Sequence, residues 1–296
     1  MPGLTALWGR AICQRCWKLQ RPSARLLTSL TGETDRFNGV TVDVEQVSES
    51  LHDKEFHNLL KNSLQKWKAE EISAAWLKIP IQYGRFIPVA AKFGFQFHHA
   101  EQNSCLLKLW MKEGGEDKTP RFATHQVGVA GFVFREDTQS VLVVKDRKSK
   151  FSYWKFAGGL SDLGEDIGDT AVREVFEETG VRTKFQSVMT VRQQHNQPGA
   201  FGRSDFFFVC RMKPLSYDIN ACSEEISACQ WMNIQELHEG SKSVAPITRR
   251  ILNLALYGLK EGFHNVDLYA EDMESIYRGL RYKLYHRPYP HIAESK

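Results

Sequence analysis

The spacing of apolar residues changes period several times along the chain. After the turn Asp35-Arg36-Phe37-Asn38-Gly39, Val40, Val42 and Val44 alternate with Thr41 and Asp43, which predicts a short strand. Phe56, Leu59, Leu60, Leu64 and Trp67 then recur at steps of three and four, the signature of an amphipathic helix over 52–71. A strand over 75–80 stops at Pro80, a helix over 88–93 ends at Gly94, and extended patterns resume over 95–99 and 105–111. Residues 31–112 thus read as a small α+β unit.

A polar, glycine-bearing stretch over 112–120 marks a linker, placed at 113–122. Beyond it, strands are predicted over 125–134, 140–145, 185–193, 204–211 and 228–232, with a helix after the glycines at 158–159 and another over 247–258. Strands interleaved with helices make residues 123–262 an α/β unit. The tail, 263–296, is expected to carry a short helix near 273–282.

Composition adds a boundary and removes some options. The 296 residues are 42% apolar, 25% charged and 11% aromatic, which excludes wholesale disorder and collagen. No apolar run approaches the ~18–20 residues of a membrane span, so no membrane partner is expected. The net charge is +4, yet Arg10, Arg15, Lys18, Arg21 and Arg25 sit in the first thirty residues with no acid among them. The remainder holds 34 Lys and Arg against 35 acids, so no extended nucleic-acid surface is expected. The leader over 1–30 reads as a mitochondrial transit peptide or as a plain basic tail, which leaves cytoplasm and nucleus as the alternative address. Cys13 and Cys16 form a lone C-x-x-C without a second ligand pair. Cys105, Cys210, Cys222 and Cys229 read as free thiols.

Residues 158–181, GGLSDLGEDIGDTAVREVFEETGV, concentrate the chemistry. Asp166 or Asp169 can cap a helix that Gly180 ends. At 100° per residue Val172, Val175, Phe176 and Thr179 share one face and Glu174, Glu177 and Glu178 the other. Such a cluster is either a solvated acidic face or a cation site. The preceding glycine loop, and Arg173 placed to pair with Glu165, favour the site. Oxygen ligands without His or Cys point to Mg²⁺ or Mn²⁺.

Gly159, five residues, Glu165, seven residues, then Arg173-Glu174-Val175-Phe176-Glu177-Glu178-Thr179-Gly180-Val181 resembles the Nudix box at every fixed position. The resemblance implies an α/β/α sandwich with a mixed sheet and hydrolysis of a nucleoside diphosphate linked to another moiety. It implies a divalent metal held by Glu174 and Glu178, with Glu177 and a backbone carbonyl near Gly158 assisting. It also implies a structural role for Gly159, Gly180 and the Glu165–Arg173 pair. The motifs at 35–39, 76–80, 94–101, 192–195 and 204–205 resemble two-domain members with an α+β pre-Nudix domain, acetyltransferase-like in outline. Plant relatives of that architecture act on ADP-ribose and NADH, which implies a similar substrate class, NAD- or FAD-capped RNA included.

Around this segment several further residues are candidates. Glu224 and Glu225 are candidates for the general base, or an exposed acidic turn. Arg192, His195 and Arg203 are candidate phosphate or ribose contacts, or solvated cations. Trp154 and Phe201 could stack on adenine, and His98 or His99 could face inward, though core positions suit all four. Trp76, Phe86, Phe93 and Trp110 exceed the aromatic surface a small domain easily buries, which suggests a homodimer through 31–112. Two functions stay open: a hydrolase, and a nucleotide-binding regulatory protein using the same site.

Overall fold

The computed structural model describes residues 28–47, 51–150, 152–240 and 244–289. Most of the leader, including Cys13 and Cys16, lies outside them. The chain divides into two compact units, Met1–Phe122 and Ala123–Lys296.

Unit one contains β1 (Glu33–Thr34), β2 (Gly39–Asp43), α1 (Asp53–Ala69), β3 (Ala74–Pro80), α2 (Ile87–Ala91), β4 (Gln96–Glu101) and β5 (Ser104–Trp110). The strands form one sheet in the order β1-β2-β3-β5-β4, with β2 and β3 parallel and the other pairs antiparallel. Alternation sends Val40, Val42, Ala75, Leu77, Ile79 and Leu107 to one face, where they pack with Phe56, Leu60, Trp67, Phe86 and Val89. Residues 113–122, expected as a linker, belong to this unit. Lys108 Nζ pairs with Asp117 at 2.6 Å, and His98 Nε2 hydrogen-bonds the Pro120 carbonyl at 2.8 Å.

Unit two contains β6 (His125–Arg135), β7 (Ser140–Asp146), β8 (Gly158–Leu160), α3 (Ile167–Thr179), β9 (Thr183–Gln194), β10 (Ser204–Pro214), β11 (Ile226–Asn233), α4 (Ile234–Glu239), α5 (Pro246–Glu261), β12 (Tyr269–Glu274) and β13 (Arg281–His286). Its main sheet runs β11-β7-β6-β10-β9, with β8 paired to β6. β10 lies parallel to β6 and antiparallel to β9, so the sheet is mixed. Ala130, Phe132 and Phe134 face the α4 and α5 side with Ile234, Leu237, Ile251 and Leu252. Val129 and Val133 face α3 through Ala171 and Val175. Helices therefore cover both faces, an α/β/α sandwich.

The tail departs from expectation. In place of a helix near 273–282 it forms the hairpin β12–β13, with Lys283 paired to Asp272 at 2.9 Å. Gly279 sits at φ +82° inside a turn closed by the Ser275 N–H to the Leu280 carbonyl, which breaks any helix there.

Candidate active site

Strand β8 places the glycine loop against the centre of the sheet, with Ala130 opposite Gly158 and Val129 opposite Gly159. Helix α3 starts after Asp166, whose carbonyl accepts from the Thr170 N–H, and ends at Gly180 with φ +72°. That left-handed conformation is the reason for glycine there. Gly159 answers a different demand. A Cβ at this position would stand 2.5–2.6 Å from the Glu174 carboxylate, so only a bare backbone lets that acid nest against β8.

Arg173 organises the loop. Its Nε and Nη2 each donate to Glu165 at 2.8 Å, and Nη2 also reaches the Leu160 carbonyl at 3.0 Å. Glu165 further accepts from the Thr170 hydroxyl at 2.8 Å and the Asp162 N–H at 3.1 Å. Together these bonds, Arg173 first, hold the Glu165 carboxyl down to about 2. The same guanidinium, through Nη1, donates to Glu174 at 2.8 Å and Glu177 at 3.0 Å. The reading from sequence gave Arg173 only the Glu165 contact; the structure makes it a bridge to two of the three box glutamates.

Glu178 differs from its neighbours. It is 6% exposed, and its Oε2 accepts from the Gly158 N–H at 3.0 Å. Among the described residues its nearest cation is Lys155, at 4.0 Å. Burial pushes its carboxyl up to about 7, against the opposing pull of Lys155. Glu174 is raised for the same reason, with Arg173 pulling it back and Glu177 and Glu225 adding repulsion. The helix is thus rotated relative to the expected faces. Glu178 lies on the covered side, and Phe176, expected there, is 51% exposed.

Among the described residues no three His, Cys, Asp or Glu side chains are gathered as a cation-ready group, and Arg173 engages Glu174 and Glu177. The chemistry of the donors nevertheless fits a hard divalent ion. They are carboxylate and backbone oxygens, one acid is buried, and the adjacent Cys229 thiol is pushed up to about 12 by burial, which keeps it from acting as a thiolate.

The remaining candidates are spread more widely. Glu225 is exposed and near enough to Glu174 to raise its carboxyl, and Glu224 is exposed beside it. Arg192 pairs with Asp205 at 2.5 Å and lies over Phe207 at 4.9 Å. In the strand register Arg192, Phe207, Gly128 and Leu160 form one row, so Arg192 stands three strands from the loop. Alternation puts it on the face opposite α3. His195 bonds Ser204 Oγ at 2.7 Å and Arg203 donates to the Ala123 carbonyl, which clusters both at the same end of the sheet as Arg192. Trp154 packs on the α5-side core beneath Lys145, and Phe201 is 90% exposed. His98 and His99 share a 2.7 Å hydrogen bond, and His99 stacks on Phe122, all within unit one. Phe86 belongs to the core of that unit, which weakens the aromatic argument for a dimer. Lys155 was not foreseen. It arrives beside Glu178 through its bridge to Val144, a pairing that leaves no mark on local sequence.

The comparisons with known proteins agree with this geometry. Residues 124–253 match the family model described as NUDIX domain, and residues 30–111 match one described as Nudix hydrolase domain. Over 263 residues the chain is 49% identical to nucleoside diphosphate-linked moiety X motif 6 of Homo sapiens, covering 88% of this chain and 83% of that protein. This chain belongs to the Nudix hydrolase family. Nudix hydrolase 2 of Arabidopsis thaliana is 40% identical over 212 residues, covering 71% of this chain and 74% of that one. A solved NUDIX hydrolase from Nitrosomonas europaea aligns with 59% of this chain and 90% of its own at a TM-score of 0.41 and 17% identity. Membership rests on the sequence relatives. It makes hydrolysis of pyrophosphate bonds a plausible activity and nucleotide-type molecules the substrate class, in a family that generally uses divalent metal ions.

Proposed function

We propose that the chain is a Mg²⁺- or Mn²⁺-dependent pyrophosphohydrolase. Its substrate is a nucleoside diphosphate linked to another moiety, of the ADP-ribose, NADH or NAD- or FAD-capped RNA kind, and its products are AMP and the phosphate of the other half. The observation that carries this reading is the buried Glu178 carboxylate, bonded to the loop at Gly158 with no cation closer than 4.0 Å among the described residues. A buried acid of that kind is costly unless a charge is brought to it.

Glu174 and Glu178 would hold the ion, with Glu177 and the Gly158 carbonyl assisting. When bound, a divalent ion neutralises pyrophosphate charge and lowers the pKa of water beside it. Arg173 and Glu165 fix the loop that carries those ligands. In the reaction a water oxygen forms a bond to phosphorus, the bridging P–O bond breaks, and the water proton passes to a carboxylate, Glu225 being the candidate. Arg192, His195 and Arg203 offer cationic or neutral donors to phosphate and ribose. The basic leader supports a mitochondrial address, with cytoplasm and nucleus as the alternative.

A second reading has one observation in its favour. Arg173 already engages Glu174 and Glu177, as it would in a regulatory protein that binds nucleotide without turnover. Purified chain incubated with Mg²⁺ and the substrate panel separates the two. Release of AMP that EDTA and Glu178→Gln both abolish supports the hydrolase. Tight binding without turnover on every substrate favours the binder.

A further inference from the structure

The outer face of the sheet in unit one breaks its own rule. With α1 and α2 covering the other side, this face should be polar, and Thr41, Asp43, Lys78 and Lys108 obey. Trp76 and Trp110 do not. Trp76 is in register with Thr41 and Lys108, and Trp110 with Ala74 and, across β3, with Gly39. The two indoles are therefore diagonal neighbours on one face. Gly39 has no side chain and Ala74 only a methyl, so the sheet beside Trp110 is left open.

The opening is a cavity of 360 Å³, walled by Phe37, Trp76 and Trp110 and bordered by Lys112 and Lys118. That volume falls within the roughly 300–1,000 Å³ of small-molecule sites. Its neutral polar groups are already bonded within the unit. Ser73 Oγ donates to the Phe37 carbonyl at 3.0 Å, Trp110 Nε1 to the Gly115 carbonyl at 3.2 Å, and Thr119 Oγ1 to Asp117 at 2.5 Å. Asp35 Oδ1 accepts from the Phe37 and Gly39 N–H groups at 2.8 and 2.9 Å. Lys112 and Lys118, by contrast, have no acidic partner within 4.0 Å among the described residues. What the cavity leaves available is ring surface, two ammonium groups and, beside Gly39, the second oxygen of Asp35.

We propose that this cavity binds a planar aromatic group bearing an anionic substituent, of which a nucleoside monophosphate is the type. The base would stack against the indoles, and the phosphate would face Lys112 and Lys118. A quaternary ammonium, the other common guest of aromatic walls, meets two lysines against the single carboxylate of Asp35. The site lies wholly in unit one, apart from the box at 158–181, and does not depend on the hydrolase reading.

The test uses the full chain labelled with 5-fluorotryptophan and kept in EDTA. Fluorine resonances of Trp76 and Trp110 are assigned with Trp76→Phe and Trp110→Phe, and the other tryptophans serve as internal controls. Titration with AMP is expected to shift both resonances to saturation, adenosine to bind more weakly, and inorganic phosphate alone to leave them in place. Lys112→Glu combined with Lys118→Glu should weaken AMP about tenfold or more, the worth of one or two charged hydrogen bonds, and leave adenosine unchanged. Resonances unmoved by millimolar AMP, equal binding of adenosine and AMP, or indifference to the double charge reversal would each overturn the assignment. So would shifts that follow protein concentration and not ligand, since these would mean that a second copy of the chain covers the face.

Discussion

Glu165→Gln isolates the bracket that Arg173 places across the loop. Two 2.8 Å bonds from one guanidinium hold this carboxyl down to about 2 against its ordinary 4.5. At 1.36 kcal/mol per pH unit that displacement corresponds to about 3 kcal/mol. The pair is partly open to water, the two side chains being 28% and 17% exposed, and screening brings the expected contribution to about 1–2 kcal/mol. A carboxyl whose folded value lies below its unfolded one stabilises the fold above about pH 4.5 and loses that contribution as pH falls toward 2. Glu165→Gln should therefore lower Tm by about 2–8 °C at neutral pH, for a unit of this size. The gap to the natural protein should narrow steadily below about pH 4.5. Calorimetry of the whole chain at a series of pH values reads both effects, and Arg173→Ala with the double variant completes a thermodynamic cycle. A gap that is constant from about pH 5 to 3, or two substitutions whose effects simply add, would refute the bracket.

Gly159→Ala should cost tenfold or more in kcat with little change in Tm, because a methyl 2.5–2.6 Å from the Glu174 carboxylate must displace it; unchanged kcat would show that the acid does not need its seat. Residues 123–296 expressed alone should fold and hydrolyse, since both core clusters around the mixed sheet lie within that unit. A folded, Mg²⁺-binding but inactive fragment would mean that unit one supplies part of the chemistry. Residues 1–30 fused to a fluorescent reporter should carry it into mitochondria, and replacing Arg10, Arg15 and Arg21 with Glu should prevent entry; a diffuse reporter would leave cytoplasm and nucleus as the address.

The long helices and the strands of unit one were legible because each has one buried face and one clear period. Strand β6 was legible because both its faces are buried and it reads as a continuous apolar run. Phe56, Leu60 and Trp67 on α1, and the unbroken apolar run of β6, needed no tertiary information. The tail misled because 273–282 holds good helix formers, while Gly279 and the pairing partner 281–286 decide for a hairpin. The Glu165–Arg173 pair followed from the motif. Its extension to Glu174 and Glu177 is local, one and four residues along the same helix, and was within reach of helical spacing. The arrival of Lys155 beside Glu178 and the open space between Trp76 and Trp110 depend on register between distant strands, which periodicity does not carry.

The inversion on α3 shows where stability and function part. The pattern puts Phe176 inside and Glu178 outside; the structure exposes the phenyl ring and covers the acid. Leaving a Phe half in water forfeits part of the roughly 2–3 kcal/mol its burial would bring. Covering a carboxylate whose nearest cation is Lys155 at 4.0 Å costs several kcal/mol more. Rotating the helix by one residue would recover both, but it would lift Ala171 and Val175, now fully buried, out of the core. Arg173 holds the same orientation from the loop side, its donors engaged by Glu165 and the Leu160 carbonyl. The same hydrogen bonds that stabilise the loop therefore hold Glu178 in an unfavourable place against β8. Local rules of sequence fail in this turn because its orientation is set by the loop-bound acids together with Ala171 and Val175, and not by Phe176.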